Sequence, residues 1–376
     1  MLDFFFIIFC CLSIINAKIK GFDNYFSDYM ELDDTNCIKG IFVWLIIFCH
    51  KTNYGNKKNY LYLKITGNLG QKVVSMFFFY SSYGICESIK KKGVIYVKTL
   101  KNKAIILFLK SQIIILMFLL TNIIILKKKI TLQRYILSVI FKQSLGNSNW
   151  FAFTIIIFYV YSYFSFRFTR NNIILGIIII NIICLLHIKY VFTHYYPKQV
   201  YAIDTILCFV IGFYYSKLKI HLDKIIMKND IFYFCMLSLT IFSFYESSKI
   251  KTLYFLLLEN ALFAILIVFI SMKIKLKNDF LKFLNFHSYS IYLLQRLVMR
   301  IIYEKKIFIN SDFVQIFFEF SSIFCIASLF DKYTSYLNKL FQIKPKTIFK
   351  NNYISIDNKN YINLKDNNII FLSKEL

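Results

Sequence analysis

Apolar residues run along this chain in long blocks, broken at short intervals by Lys- and Asn-rich stretches. The blocks cover residues 2–17, 37–50, 71–88, 104–126, 150–166, 173–192, 203–216, 231–245, 253–272, 288–303 and 313–330. A helix rising 1.5 Å per residue needs about 20 mostly apolar residues to cross a hydrocarbon core of about 30 Å, and the blocks are at or near that length. No alternating barrel pattern is visible. Backbone groups left unpaired in lipid cost several kcal/mol each, so helix is the form the pattern predicts. The expected fold is all-α, a polytopic transmembrane helix bundle of ten or eleven spans, because several blocks sit near the short limit. Three regions follow: an N-terminal hydrophobic span and loop (1–36), a membrane domain (37–330) and a polar tail (331–376) expected in the cytoplasm.

Composition agrees with that reading. Hydrophobic residues make up 58% of the 376 residues and charged residues 18%, with a mean hydropathy of +0.56. A soluble domain is about half apolar and a quarter charged, so a soluble domain is excluded. Ten Gly and two Pro exclude collagen-like and Pro-rich architectures. The nine Cys fall in or beside apolar blocks without a CxxC pair, which reads as small buried hydrophobes rather than a disulfide frame or zinc site. The net charge of +26 would suggest nucleic acid in a soluble protein. Here the cations cluster between apolar blocks, where they anchor helix ends and meet anionic headgroups, so membrane lipid is the expected partner and nucleic acid is not.

The first block ends in SIINA, which offers a signal-cleavage point. Its cations, Lys18 and Lys20, follow the apolar run instead of preceding it, which favours a retained helix. Counting Lys and Arg over the loops and tail places the carboxyl terminus in the cytoplasm and His50 at the outer end of the second span. The expected location is the inner (plasma) membrane, crossed many times.

Ionisable residues within apolar blocks are costly and are functional candidates by default. The most informative pair is Lys39 and His50 in CIKGIFVWLIIFCH. Eleven steps of about 100° return to within about 20° of the same helix face, and the two Cα atoms lie about 16 Å apart. The residues share a face without touching, so one extended ligand lying along the helix would meet both. A cation near one end would hold a phosphate, and an imidazole near the other would take a proton from a hydroxyl at physiological pH. The alternative is that Lys39 snorkels at one interface and His50 simply ends the helix at the other.

Further along, Tyr292, Gln295 and Arg296 in YLLQR fall at i, i+3 and i+4, with Arg300 a turn later. This polar stripe either faces a wet cavity, holding a sugar or phosphate, or pairs with neighbouring helices. Asn149 and Trp150 open another helix as N-cap and interface anchor. Ser81 and Ser82 are able to satisfy helical carbonyls. His187, His194, His221 and His287 show no metal spacing and take no role, while Asp204 is an acid at the edge of a span. No glycine-rich nucleotide loop, GxSxG elbow or HExxH helix is present.

Four segments together resemble the integral-membrane acyltransferase family 3, whose bacterial members O-acetylate polysaccharides. TNCIKGIFVWLIIFCH is similar to the family's first motif, a basic residue, ten intervening residues and then His. FFFYSSYGICES resembles its Phe-Phe and Ser-Gly-Tyr motif at Ser81, Ser82 and Tyr83, with Ser82 standing where the family usually has Gly. NSNWFAFTIIIFYVYSYFSF resembles its Trp-Phe helix start at Asn149 and Trp150. HSYSIYLLQRLVMRIIY is similar to its late Ile-Tyr-Leu, Gln-Arg helix with Tyr292, Gln295 and Arg296. The matches keep the family's order and run from about residue 35 to 303.

The resemblance implies an acyltransferase with acetyl-coenzyme A as donor substrate, a glycan or lipid-linked sugar as acceptor, His50 as the essential base and no metal. It gives Lys39 a catalytic role where many relatives carry Arg. Lys98 and Lys103 lie where the family tends to carry basic residues, which implies donor binding. Ser81, Tyr83 or Gln295 would stabilise the developing oxyanion. Two other classes compete: a transporter, flippase or polymerase of lipid-linked glycans, which would be expected to show an internal repeat and broken helices, and a non-catalytic membrane scaffold.

Overall fold

The computed structural model describes residues 2–52, 54, 66–67, 69–170, 172–195, 203–250, 252–307 and 311–341, with short tail strands at 353–355, 360–363 and 372–373. Most of the expected polar tail lies outside the described residues. Among those described, the chain forms twelve α-helices: α1 Leu2–Ile14, α2 Leu32–Lys51, α3 Gly70–Leu120, α4 Leu132–Val139, α5 Asn149–Phe168, α6 Ile173–Tyr195, α7 Ile206–Ile226, α8 Asp230–Lys249, α9 Leu253–Lys273, α10 Asp279–Phe286, α11 Ser288–Glu304 and α12 Asp312–Leu340. The fold is all-α. Its strands are minor: β1 (Lys18–Ile19) pairs antiparallel with β2 (Ile274–Lys275), and the tail strands β3 (Tyr353–Ser355), β4 (Asn360–Asn363) and β5 (Leu372–Ser373) form a small antiparallel sheet.

Six segments are long and apolar enough to cross a membrane: Gly70–Ile125, Asn149–Phe168, Ile173–His194, Asp230–Lys249, Leu253–Lys273 and Phe313–Leu340. Rows of large apolar side chains stay exposed on α6 (Ile178, Ile182, Leu185) and on α8 (Leu239, Phe242). Water penalises such rows and lipid does not. The chain is a membrane protein.

α3 is two helices in one. A straight rod of its 51 residues would be about 75 Å long, more than twice a bilayer core. It breaks at Gly93, whose φ of 53° and ψ of −134° are accessible to a residue without Cβ. Both of its ends then lie at one end of the bundle. Gly70 adjoins Cys49 of α2, and Asn122, in the π-turn Thr121–Ile125 that closes the second arm, accepts a 3.0 Å hydrogen bond from Arg300 of α11. Lys51 of α2 meets the Tyr303 hydroxyl at 2.9 Å at that same end. The two arms account for the separate apolar blocks at 71–88 and 104–126.

Side chains pack into two cores. The larger is built on α3, α5, α7 and α9, with Phe158 stacked on Phe209 at 4.0 Å. The smaller joins α1, α2, α10 and α12 around Trp44, which stacks on Phe9 at 4.4 Å and touches Phe320 at 4.5 Å. α2 and α11 contribute to both cores, which places them at the centre of the bundle.

At the end opposite His50, residues 18–31 form a strap across α7, α8 and α9. The strap's backbone bonds to Lys273 and Met272 carbonyls at 2.9 Å, Lys273 Nζ reaches Asp230 at 2.6 Å, and Tyr25 bonds the same carboxylate. The Lys275 ammonium beside Asp28 holds the Asp28 carboxyl below the usual carboxylate range. A depressed pKa contributes stability above the unfolded-state value, about 3.9, and loses it as pH falls through the folded value. The protection of residues 18–31 against amide exchange, taken relative to the intrinsic rate at each pH, is therefore expected to fall below about pH 4, and Asp28→Asn should bring that loosening to neutral pH.

Three local expectations are corrected. Ser148, not Asn149, occupies the N-cap of α5, and Asn149 is the first helical residue. Four cysteines, Cys10, Cys11, Cys235 and Cys325, are exposed on helix surfaces instead of buried, where a small apolar thiol suits lipid as well as it suits a core. The short helices α4 and α10 lie outside the apolar blocks because each is about two turns long, too short to register as a run.

Candidate functional site

A cavity of about 180 Å³ opens where α2, both arms of α3, α5 and α11 meet. Val43 and Ile46 of α2, Ser81 of α3, Tyr159 of α5, and Ser288 and Tyr292 of α11 are among its walls. Val43 and Ile46 follow Lys39 by four and seven residues, and His50 follows by eleven, so all four lie on one stripe of α2. The cavity is walled by the middle of the α2 face that also carries Lys39 and His50, neither of which is itself among its walls.

At the His50 end, the imidazole meets the Tyr292 ring edge-to-face at 5.8 Å. Its polar neighbours are Gln295 and Arg296, presented on the same side of α11 by the i, i+3, i+4 spacing. His50 Nδ1, Gln295 Oε1 and Arg296 Nε are all buried without a well-formed hydrogen bond among the described residues, although the Gln295 amide lies close enough to the imidazole to interact with it. Gln295 is wholly buried, and its amide nitrogen donates to the Tyr292 carbonyl at 3.2 Å. A buried polar atom left unmet costs about 1–3 kcal/mol. Three of them converging from two helices mark a place built for a polar guest.

Lys39 stands toward the other end of α2, after a first turn whose acids are paired. Lys275 holds Asp34 at 2.8 Å and Lys282 holds Asp33 at 3.0 Å, while Lys39 makes no ion pair or hydrogen bond among the described residues. An unspent ammonium on the cavity stripe is available to an anion.

The remaining sequence-derived residues divide. Successive helix positions point about 100° apart, so Ser81, Ser82 and Tyr83 do not share a destination. Ser81 lines the cavity, Ser82 donates to the Phe79 carbonyl at 2.9 Å against Gly212 of α7, and Tyr83 packs on Tyr215. Asn149 donates to the Gln143 carbonyl at 2.6 Å and bonds Asn147, tying the preceding loop to α5. Trp150 packs against the larger core beside Phe151. Lys103 donates to the Tyr96 hydroxyl at 3.0 Å and lies close to Tyr159, a cavity wall. Lys98 lines a separate groove.

Arg300 leaves the stripe to which its spacing assigns it. Its guanidinium bonds the Leu145 carbonyl at 2.5 Å, Asn122 at 3.0 Å and Glu304 at 2.9 Å, clamping the loop before α5 to α11 and α3. Gly146 sits under that clamp at φ +113°, where a Cβ would strike the guanidinium. Gly146→Ala is expected to cost about 1–3 kcal/mol through strain alone, read as a lowered melting temperature in detergent. An unchanged melting temperature would show the clamp to be loose.

Two clusters escaped the sequence reading. Lys51 Nζ, one residue past His50 in sequence, pairs with Glu319 at 2.5 Å and bonds Tyr303. The available signal was Glu319, an acid inside the apolar block 313–330. His287 Nδ1 meets Asp331 at 2.8 Å, and Asp331 also takes Ser290 at 2.7 Å and Lys110 at 2.9 Å. Nothing in the sequence spacing pointed to that set.

No family model, curated protein or solved structure matches this chain. Among the described residues, no three His, Cys, Asp or Glu side chains gather as metal ligands would.

Proposed function

We propose that the chain is a membrane O-acyltransferase of the acyltransferase family 3 type, moving an acetyl or similar acyl group from acetyl-coenzyme A to a hydroxyl of a cell-surface or lipid-linked polysaccharide. One observation supports the reading: His50 of α2 meets Gln295 and Arg296 of α11 in a buried place where His50 Nδ1, Gln295 Oε1 and Arg296 Nε lack well-formed hydrogen bonds, and the same face of α2 carries the unpaired Lys39. In this reading the chain crosses the inner membrane ten or eleven times, with the arms of α3 counted separately, and His50 faces the outer side.

The cavity is small against the 300–1,000 Å³ of a pocket that encloses a drug-sized ligand. It therefore takes the thioester end of the donor and the reacting hydroxyl, with the donor's phosphates outside it near Lys39 and Lys103. The imidazole nitrogen without a protein partner removes the hydroxyl proton as the oxygen attacks the thioester carbonyl carbon. The tetrahedral oxyanion is met by donors such as Ser81, Tyr292 or Arg296. Collapse breaks the carbon–sulfur bond, and the leaving thiolate takes the proton back from His50.

Mass spectrometry of the surface glycan, with and without the gene, tests the reading. Loss of an acetyl group from an otherwise intact repeat supports transfer. Loss of the whole polymer assigns the chain to transport or polymerisation instead.

A further inference from the structure

A second groove, of about 300 Å³, lies at the Lys39 end of the bundle, away from the cavity. Its walls are Val94, Val97 and Lys98, just past the fold-back at Gly93, and Phe166, Arg167 and Arg170, where α5 ends. We propose that this groove binds the phosphate headgroup of an anionic membrane lipid. The proposal does not rest on the acyl-transfer reading.

The first argument is charge. Lys98, Arg167 and Arg170 all lie in a stretch that contains no Asp or Glu, from Glu87 to Asp204. None of the three side chains makes an ion pair or hydrogen bond among the described residues. Lys110 in the same stretch does find a carboxylate, Asp331 at 2.9 Å, so the groove's cations lack a counterion that its neighbour has. A phosphate supplies it: two guanidinium forks suit its oxygens, and the ammonium adds a point charge.

The second argument is depth. The floor is apolar and closed, formed by Val97 and Phe166, whereas Val94 at the rim is exposed at 50%, and Ile95 and Phe168, next in sequence to groove residues, at 60% and 77%. Exposed apolar side chains beside exposed cations fit the boundary between acyl chains and headgroups, where a free nucleotide in water would gain nothing from the rim. Both walls turn at that level, at Gly93 with φ 53° and at Arg170 with φ 49°, which holds the three cations around one opening.

The full-length protein in detergent, titrated with short-chain phosphatidylglycerol and read by native mass spectrometry, tests this. Each cation near a headgroup contributes on the order of fivefold in affinity. Wild type is expected to retain one phosphatidylglycerol in preference to phosphatidylcholine, and Arg167→Gln/Arg170→Gln to lose at least about tenfold of that affinity with an unchanged melting temperature. Lys98→Gln alone should lose less. Lys91→Gln/Lys92→Gln, outside the groove, should lose nothing. Equal retention by the double arginine variant, or equal loss in the Lys91/Lys92 variant, overturns the site. Displacement of the lipid by coenzyme A also overturns it, by giving the groove to the acyl donor.

Discussion

His50→Ala is expected to lower acetyl transfer by about a hundred- to ten-thousandfold, the range that a positioned general base supplies, while the amount of folded protein stays near wild type. The imidazole makes no hydrogen bond through Nδ1 and stands near the end of α2, one turn beyond the cavity wall at Ile46. Little structural support is therefore lost with it. His50→Gln separates the two parts that the ring could play. Glutamine keeps a polar group beside Gln295 and Arg296 but has no basic nitrogen, so it should be as inactive as alanine. Lys39→Met should behave differently: an ammonium that holds the donor's phosphate contributes mainly to binding, so KM rises more than kcat falls. Transfer by His50→Ala at the wild-type rate would remove the base from the mechanism.

The second large effect lies one residue further along. Lys51 and Glu319 are paired at 2.5 Å with side-chain exposures of 4% and 0%, and they join α2 to α12. Removing one partner strands the other in a low-dielectric interior, a cost of about 3–5 kcal/mol. Lys51→Met and Glu319→Gln are each expected to lower the melting temperature sharply, since each leaves one buried charge without its counterion. Replacing both, as Lys51→Met/Glu319→Leu, should recover most of the loss, since a buried pair exchanged for packed apolar groups is often neutral. A double variant as unstable as the singles would mean that the pair's geometry, and not its charge balance, supports the site.

Much of this architecture is legible in the sequence. Apolar blocks mark helices because lipid leaves the backbone no other partner, and each block falls on a helix or on one arm of α3. Helical arithmetic also puts Lys39 and His50 on one face of α2 and Tyr292, Gln295 and Arg296 on one side of α11, with Tyr292 against His50, because a stripe on a straight helix is a local property. The misses are long-range. Arg300 shares the stripe by spacing, yet it swings to a loop more than 150 residues away in sequence. Ser82 and Tyr83 adjoin Ser81 in sequence and face α7 instead, because adjacent residues diverge around the helix. The Lys51–Glu319 and His287–Asp331 pairs join elements whose contact no periodicity encodes.

Acyl transfer through the α2 cavity is tested most directly with purified wild-type protein, acetyl-coenzyme A labelled in the acetyl group, and a glycan extract as acceptor. The account predicts that label moves into the glycan as an alkali-labile ester, with release of free coenzyme A in equal amount. Folded protein that binds the donor but leaves the glycan unlabelled would contradict it.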